Sequence, residues 1–198
     1  LVADPAARER LQEILKNDIQ RLDRLVTDIS NASRLDAELS REQPKVVDLG
    51  RLIHDIVALY QATARLGEAR VRFEPHAGMD SATVMGREGP LGQILRNLID
   101  NARSFSPAGD EVTVGLLRVK DEVIVTVSDN GPGIPPENLE TVFERFYTSR
   151  PKGAAFGGNS GLGLSIARQI AEAHGGALRA ENRIGADGVV LGALFILT

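Results

Sequence analysis

The chain of 198 residues contains no cysteine and no tryptophan, and aromatic residues make up only 4% of it. The absence of cysteine excludes disulfides, thiolate catalysis and zinc–thiolate sites. Few aromatics and a formal net charge of −4 argue against a nucleic-acid-binding surface. No apolar run is long enough to span a membrane, and no signal peptide is visible. The remaining composition, 42% hydrophobic and 25% charged, is that of a globular protein.

The first 43 residues predict one long helix. Asp4 followed by Pro5 is a typical helix start, with a capping side chain before a proline at the first helical position. From there to about Glu42, apolar residues recur every three or four positions between charges. At 1.5 Å per residue this helix would be about 57 Å long, so we expect it to project and to pair with another helix. Because the chain begins with Leu1 and not with Met, we interpret it as part of a longer protein.

After Pro44 the pattern becomes mixed. Periodicity and turn residues predict helices at 49–66, 90–104 and 162–174, and strands at 70–74, 83–86, 111–119, 122–129, 177–182 and 189–197. Residues 150–161 are rich in glycine and poor in apolar side chains, so we expect a mobile loop. The fold class that follows is α+β, an α/β sandwich with helices on one face of a mainly antiparallel sheet.

The stretch VSDNGPGIP, residues 127–135, ends a strand in an unusual way. A run of β-branched residues stops at Asp129, and Gly131 and Gly133 alternate with prolines directly afterwards. A tight turn explains these residues when they are taken alone. The alternative is a carboxylate at a strand end, able to accept a hydrogen bond from an amino group, beside backbone that can approach a flat ring closely.

Two further motifs suggest a site for a charged ligand. In NLIDN, Asn97 and Asn101 are four residues apart on one helix face and offer amide oxygens that suit Mg²⁺, although two solvated asparagines explain this motif better when it is taken alone. In GNSGLGLSIARQI, residues 158–170, Gly161 and Gly163 precede an apolar helix whose N-terminus favours an anion. The second motif is neither a P-loop nor a dinucleotide fingerprint, because the Gly-Lys-Ser/Thr sequence and the preceding buried strand are missing.

In this order and spacing, the three motifs resemble the N, G1 and G2 boxes of the GHKL (Bergerat-type) ATP-binding fold, and FERFY at 143–147 resembles the F box of its histidine kinase branch. The resemblance covers about residues 44–198 and implies that ATP and Mg²⁺ are bound. It implies that Asp129 binds the adenine amino group, that Asn101 binds Mg²⁺, and that Asn97 lies beside the phosphates. It also implies an ATP lid at residues 135–160. The other implied nucleotide-binding residues are Gly131, Gly133 and Ile134 at the base, Tyr147 in the F box, and Gly161, Leu162, Gly163 and Leu164 at the phosphates.

The long helix, with QRLDRLVTDISNASRLDAEL, resembles the second helix of the dimerisation and phosphotransfer hairpin of a sensor histidine kinase. The domains implied are this partial hairpin at residues 1–43 and a catalytic ATP-binding domain at 44–198. The whole chain resembles the ChvG type of bacterial sensor kinase. This implies a response regulator receiver domain as partner, a homodimer through the hairpin, and a cytoplasmic location. Any attachment to the inner membrane would come only through segments outside this chain.

The sequence departs from the family pattern in three ways. The first hairpin helix is missing, and with it the phosphoacceptor histidine, so we do not expect this chain to phosphorylate itself. Ser104 occupies the position where the family usually has lysine, and Thr148 follows Tyr147 where many kinases have arginine. We expect Arg103 or Arg145 to act as the catalytic cation instead, because the γ-phosphate needs one.

Three functions compete. The leading interpretation is the catalytic portion of a histidine kinase that transfers the γ-phosphoryl group of Mg-ATP to a histidine. A GHKL-type ATPase would need a glutamate base where this chain has Asn97, and a neutral amide cannot take a proton from water. A degenerate nucleotide-binding scaffold is disfavoured by Asn101 and Asp129 and is mildly favoured by Ser104 and Thr148. His54 would be structural or solvated, not an acceptor.

Overall fold

The computed structural model describes residues 43–79, 81–148 and 161–198, and seven helical positions between residues 8 and 30. Most of the predicted N-terminal helix therefore lies outside the described residues, as do residues 149–160 of the predicted loop and lid. The domain boundary near residue 43 remains a prediction. No helix in the described part of the chain combines the length and the apolar character that a bilayer crossing requires.

Seven strands and three α-helices form the described fold. The strands are β1 (Lys45–Asp48), β2 (Arg70–Pro75), β3 (Thr83–Gly86), β4 (Glu111–Val119), β5 (Glu122–Ser128), β6 (Leu178–Ile184) and β7 (Val190–Leu197). The helices are α1 (Leu49–Thr63), α2 (Glu88–Phe105) and α3 (Gly163–Ala173). Two 3₁₀ turns, Pro136–Asn138 and Thr141–Phe143, lie between β5 and α3.

The strands form two sheets. β1 and β3 pair as an antiparallel ribbon, and the other strands form a five-stranded sheet in the order β2-β4-β5-β7-β6. Only the β2–β4 pair of that sheet is parallel. The predicted α+β fold, with helices packed on a mainly antiparallel sheet, is confirmed.

The core lies between the five-stranded sheet and the helices. Alternating residues of β4 and β5 point into it, since Val112, Val114, Leu116, Val125 and Val127 are almost completely buried. The helices complete this layer with their apolar faces, mainly those of α2 and α3. Burial of these faces fixes where α2 and α3 lie over the sheet. It therefore also fixes the positions of the polar side chains at the edges of those faces.

The predicted elements agree with the structure within a few residues, and one strand was missed. β1 has only four residues, of which only Val47 is buried, so its sequence carries no recognisable strand pattern. It is held by pairing with β3, in the register Lys45↔Gly86 to Asp48↔Thr83. Asp48 ends β1 and caps α1, because its Oδ1 accepts a hydrogen bond from the Arg51 N–H at 3.2 Å.

Candidate functional site

The carboxylate of Asp129 lies at the end of β5, and the residue is only 2% exposed. Its Oδ1 accepts hydrogen bonds from the N–H groups of Gly131 at 2.9 Å and Ala193 at 3.0 Å. Within the part of the chain that the structure describes, Oδ2 has no hydrogen-bond partner. A buried polar atom without a partner is costly, so this oxygen is available for a donor from a ligand.

Burial raises the pKa of Asp129 above its ordinary value, because removal from water disfavours the charged carboxylate. The hydrogen bonds from Ala193 and Gly131 act in the opposite direction and lower the pKa, as does the positive charge of Arg183. These contacts favour the ionised form that a ligand amino group requires as an acceptor.

Glycines let the loop after Asp129 pass close to its neighbours. A Cβ atom at Gly131 would lie 2.7 Å from the carbonyl oxygen of Phe105, at the end of α2. Gly133 has φ +75°, which favours glycine, and a Cβ atom there would collide with side chains of β6 and β7. Ile134 follows, half-buried against the core. The two glycines therefore permit close approach to protein atoms, and their predicted approach to a flat ring remains a prediction.

The two asparagines of α2 lie at the edge of its buried face next to α3. The Asn97 Nδ2 donates a hydrogen bond to the Gly163 carbonyl at 2.9 Å, which joins the N box directly to the G2 motif. Asn101 is half-buried, and its side-chain amide makes no hydrogen bond among the described residues. Its backbone carbonyl accepts a bond from the Ser104 hydroxyl at 2.8 Å. The amide oxygen of Asn101 thus fits a hard cation such as Mg²⁺.

The F box and the G2 motif meet through their backbones. The Phe146 N–H donates to the Gly161 carbonyl at 2.9 Å, and a Cβ atom at Gly161 would lie 2.8 Å from the Tyr147 carbonyl oxygen. Tyr147 is half-buried beside this contact. Leu162 is buried and Leu164 packs against the core. The N-terminus of α3 therefore lies at this junction, where the first N–H groups of the helix have no acceptor within the helix.

The contacts of Arg103 favour Arg145 of the two arginines that the sequence left as alternatives for the phosphates. At about 100° per residue, Arg103 lies on nearly the opposite face of α2 from Asn101, and it points toward α1 and not toward α3. Its guanidinium bonds the Glu68 carboxylate at 2.6 Å and the Ala69 carbonyl at 3.1 Å, and it lies 5.2 Å from the centroid of the Tyr60 ring. Arg103 therefore joins α2 to α1 and to the segment just before β2, which are contacts typical of a structural residue.

Arg145 remains the candidate cation of the F box. Its side chain is exposed, and the described residues include no hydrogen-bond or ion-pair partner for it. Ser104 lies on the same helix face as Asn97 and Asn101 and carries no charge. The position that is usually cationic in the family is therefore neutral in this structure.

The three histidines are not placed at this site. His54 is exposed on α1, where its nearest acidic partner is Asp55 at 3.6 Å, as expected for a solvated residue. His76 is exposed in the turn after β2. His174, at the end of α3, is structural: its Nε2 accepts a hydrogen bond from the Arg87 N–H at 3.1 Å, and its Nδ1 lies 2.8 Å from the Ile170 carbonyl.

Two groups of contacts near the site were missed from the sequence. Asn182 and Arg183 of β6 bind the loop after Asp129, across about 50 residues of sequence. Arg168 of α3 lies 3.7 Å above the centroid of the Phe143 ring and bonds the Leu178 carbonyl at 3.0 Å, which holds the F box against α3. Arg168 sits at the polar edge of a predicted amphipathic helix, and no local signal distinguishes such a residue from a solvated one.

Comparison with known proteins agrees with this geometry. Residues 86–196 match the family model described as histidine kinase-, DNA gyrase B- and HSP90-like ATPase. The sensor protein ChvG of Rhizobium meliloti (strain 1021) is 49% identical over 207 residues, which cover 100% of this chain and 35% of that protein. The chain thus spans about a third of the length of this relative.

Two solved structures have similar folds. Full-length ShkA in complex with AMPPNP is 27% identical with a TM-score of 0.72, over 98% of this chain and 38% of that one. The histidine kinase ThkA in complex with the response regulator protein TrrA is 26% identical with a TM-score of 0.70, over 99% and 52%. With the matched family model and the ChvG relative, they show that the chain belongs to the histidine kinase-, DNA gyrase B- and HSP90-like ATPase family and contains a histidine kinase ATP-binding catalytic domain.

Proposed function

We propose that this chain binds Mg-ATP and transfers its γ-phosphoryl group to a histidine on a helical hairpin, as the catalytic part of a ChvG-like sensor kinase. The observation that carries the proposal is Asp129, which is buried at a strand end with Oδ1 occupied by two N–H groups and Oδ2 available. Such an oxygen accepts a hydrogen bond from the 6-amino group of adenine and repels the 6-oxo group of guanine.

The phosphates would lie between α2 and α3. The first turn of α3 carries N–H groups that have no partner within the helix, and its dipole favours negative charge. Asn97 fixes the start of this helix through the Gly163 carbonyl. Asn101 would hold Mg²⁺, which, when bound, would neutralise phosphate charge.

Transfer would consist of positioning and charge neutralisation. An imidazole nitrogen of the acceptor forms a bond to the γ-phosphorus, the bond to the oxygen bridging to the β-phosphate breaks, and the imidazole loses its proton to solvent. Arg145 would stabilise the charge on the transferred group, since Arg103 is bound elsewhere. Asn97 donates its amide hydrogen to a carbonyl and has no proton-accepting role, which disfavours ATP hydrolysis as the main reaction.

The partners follow from the same proposal. Residues 1–43 would supply the second helix of the hairpin, and the exposed side chains of Leu11, Leu15, Ile19 and Val26 would contact the other helices of a homodimer. The phosphoryl group would pass from the acceptor histidine to the receiver domain of a response regulator, the class of protein bound to ThkA in its complex. The complete protein would be anchored in the inner membrane, with this part in the cytoplasm.

One experiment tests the proposal in two stages. Calorimetry with ADP, ATP and GTP, each with and without Mg²⁺, measures nucleotide binding by the 198-residue chain. Labelled ATP is then added with and without a separate hairpin that carries an acceptor histidine. We expect adenine nucleotides to bind in the micromolar to millimolar range, and label to appear on the hairpin but not on this chain. Binding without transfer would favour a scaffold, and no binding would contradict the proposal.

A further inference from the structure

Two consecutive side chains of β6 bind both ends of the loop that follows β5. The Asn182 carboxamide accepts a hydrogen bond from the Ile134 N–H at 2.8 Å and donates one to the Ile134 carbonyl at 2.6 Å. The Arg183 guanidinium donates to the Asp129 carbonyl at 2.8 Å and to the Asn130 Oδ1 at 2.9 Å. One strand therefore holds the backbone of this loop at its first and last residues.

The loop fits tightly against β6 and β7. A Cβ atom at Gly133 would lie 2.8 Å from the Asn182 Oδ1 and would overlap the Val190 side chain. A Cβ atom at Gly192 of β7 would overlap the Asp129 carbonyl oxygen. Because both glycines are needed for this approach, the contacts of Asn182 and Arg183 belong to a fitted backbone arrangement and not to a loose polar surface.

These contacts limit what Ile134 can offer to a base. The Ile134 N–H and carbonyl are both bound by Asn182, so Ile134 can offer a ligand only its apolar side chain. The Asn182 side-chain amide makes these same two hydrogen bonds, one through its oxygen and one through its nitrogen. Among the side chains of this loop, Asp129 carries a buried oxygen, Oδ2, without a described partner, and the backbone that carries it is held by Arg183.

We propose that Asn182 and Arg183 are positioning residues that set the base preference of the site by fixing Asp129 Oδ2 relative to the Ile134 side chain. This inference rests on the proposed binding of adenine nucleotides. A hydrogen bond to a 6-amino group requires both distance and angle to be correct. Stacking of a purine ring on an apolar side chain tolerates small shifts. Loosening the loop therefore weakens the selective hydrogen bond to the 6-amino group more than the non-selective stacking on the Ile134 side chain.

This difference separates positioning from a purely structural role. A variant that only destabilises the domain lowers the affinities for ADP and IDP by the same factor, because both ligands need the folded site. A variant that misplaces Oδ2 reduces ADP affinity and leaves IDP affinity nearly unchanged, because IDP has an oxo group in place of the amino group. The ratio of the ADP and IDP affinities therefore reports positioning, and the unfolding temperature of each variant reports loss of stability.

The test compares Asn182→Ala, Asn182→Asp and Arg183→Lys with the wild-type chain by calorimetry with ADP and IDP. Asn182→Asp keeps the acceptor for the Ile134 N–H but faces the Ile134 carbonyl with a second oxygen. Glu181→Gln is the matched control, because Glu181 lies on β6 and its exposed side chain bonds only Arg179 among the residues that the structure describes. We expect Asn182→Ala to weaken ADP binding about fivefold to tenfold and IDP binding less than twofold. Asn182→Asp should do the same, Arg183→Lys less, and the control should match the wild type.

Three outcomes overturn the inference. Affinities for ADP and IDP that fall by one common factor, or do not change, show that the loop contacts do not position Oδ2. Failure of all three variants to fold shows that the contacts are structural. A wild-type chain that binds neither nucleotide removes the proposed function as well, whereas a wild-type chain that prefers ADP, with variants that keep this preference, contradicts the inference alone.

Discussion

The two ends of the candidate site are built differently. At the base end, residues 129–134 are held by hydrogen bonds from β6 and β7, and one buried carboxylate oxygen is left available. At the phosphate end, the side chains of Asn101 and Arg145 have no partners among the described residues. The base end is thus assembled before a ligand arrives, whereas the phosphate end has groups that a charged ligand would organise.

We therefore expect the two ends to have different functions. A preformed acceptor in a tight loop discriminates between bases, because a wrong base leaves Asp129 Oδ2 buried without a partner. Groups without fixed partners can follow a phosphate and its cation as the charge moves during transfer. Substitutions at the base end should consequently change affinity and selectivity, and substitutions at the phosphate end should change dependence on Mg²⁺ and transfer.

The largest effect is expected for Asp129→Asn. The amide retains an oxygen for the N–H groups of Gly131 and Ala193 and then presents its NH₂ group to the adenine amino group, which is also a donor. A buried hydrogen bond to a charged group contributes about 1.5–3 kcal/mol, so ADP should bind about tenfold to a hundredfold more weakly by calorimetry. Asp121→Asn, in the exposed turn between β4 and β5, is the control. Unchanged ADP affinity in Asp129→Asn would remove Asp129 from the site.

The pH dependence of stability should change in the same variant. Burial raises the folded-state pKa of Asp129 above the value in the unfolded chain, so the folded form binds the proton more tightly between the two values. Ionisation of Asp129 therefore lowers the free energy of unfolding as the pH rises through this range. We expect this contribution to be absent from Asp129→Asn, which should unfold at the same or a higher temperature at neutral pH. A clearly lower unfolding temperature at neutral pH would contradict the direction of the shift.

How far the sequence predicted this base end depends on the range of the contacts. Asp129, Gly131 and Gly133 are recognisable because a strand pattern and turn residues are adjacent in sequence. The roles of Asn182 and Arg183 are not, since their contacts with the loop span 48 to 54 residues and depend on the pairing of β6 with β7. Helical periodicity alone separates Arg103 from the face of Asn97 and Asn101, and it therefore favours Arg145 of the two arginines.

At the phosphate end, Asn101→Ala should remove the gain in ATP affinity that Mg²⁺ produces. The variant loses an amide oxygen that suits the cation, and loss of a single metal-site contact weakens metal binding by at least about tenfold. Calorimetry with ATP, in Mg²⁺ and in a chelator, measures the gain. Affinity for ADP in the chelator should remain within about twofold, since the base end is unaltered. Arg96→Ala, on an exposed part of α2, is the control, and an Mg²⁺ effect that persists in Asn101→Ala would exclude Asn101 as a ligand.

The smallest effect on the site is expected from Arg103, and it separates the two arginines that the sequence left as alternatives. Arg103 is mostly buried, with an exposed side-chain fraction of 19%, and it joins α2 to Glu68, Ala69 and Tyr60. Arg103→Ala should therefore lower the free energy of unfolding by about 1–3 kcal/mol, because two hydrogen bonds of a charged group are lost. Its phosphotransfer to a supplied hairpin, measured below the unfolding temperature, should stay within about twofold of the wild type, as for a group outside the site. Arg145→Ala should show the opposite pattern, with unchanged stability and transfer slower by about tenfold, since an exposed side chain stabilises the fold little but can stabilise transferred charge. Reduced transfer in Arg103→Ala with normal stability would instead return Arg103 to the phosphates and require α2 to present a second face to the nucleotide.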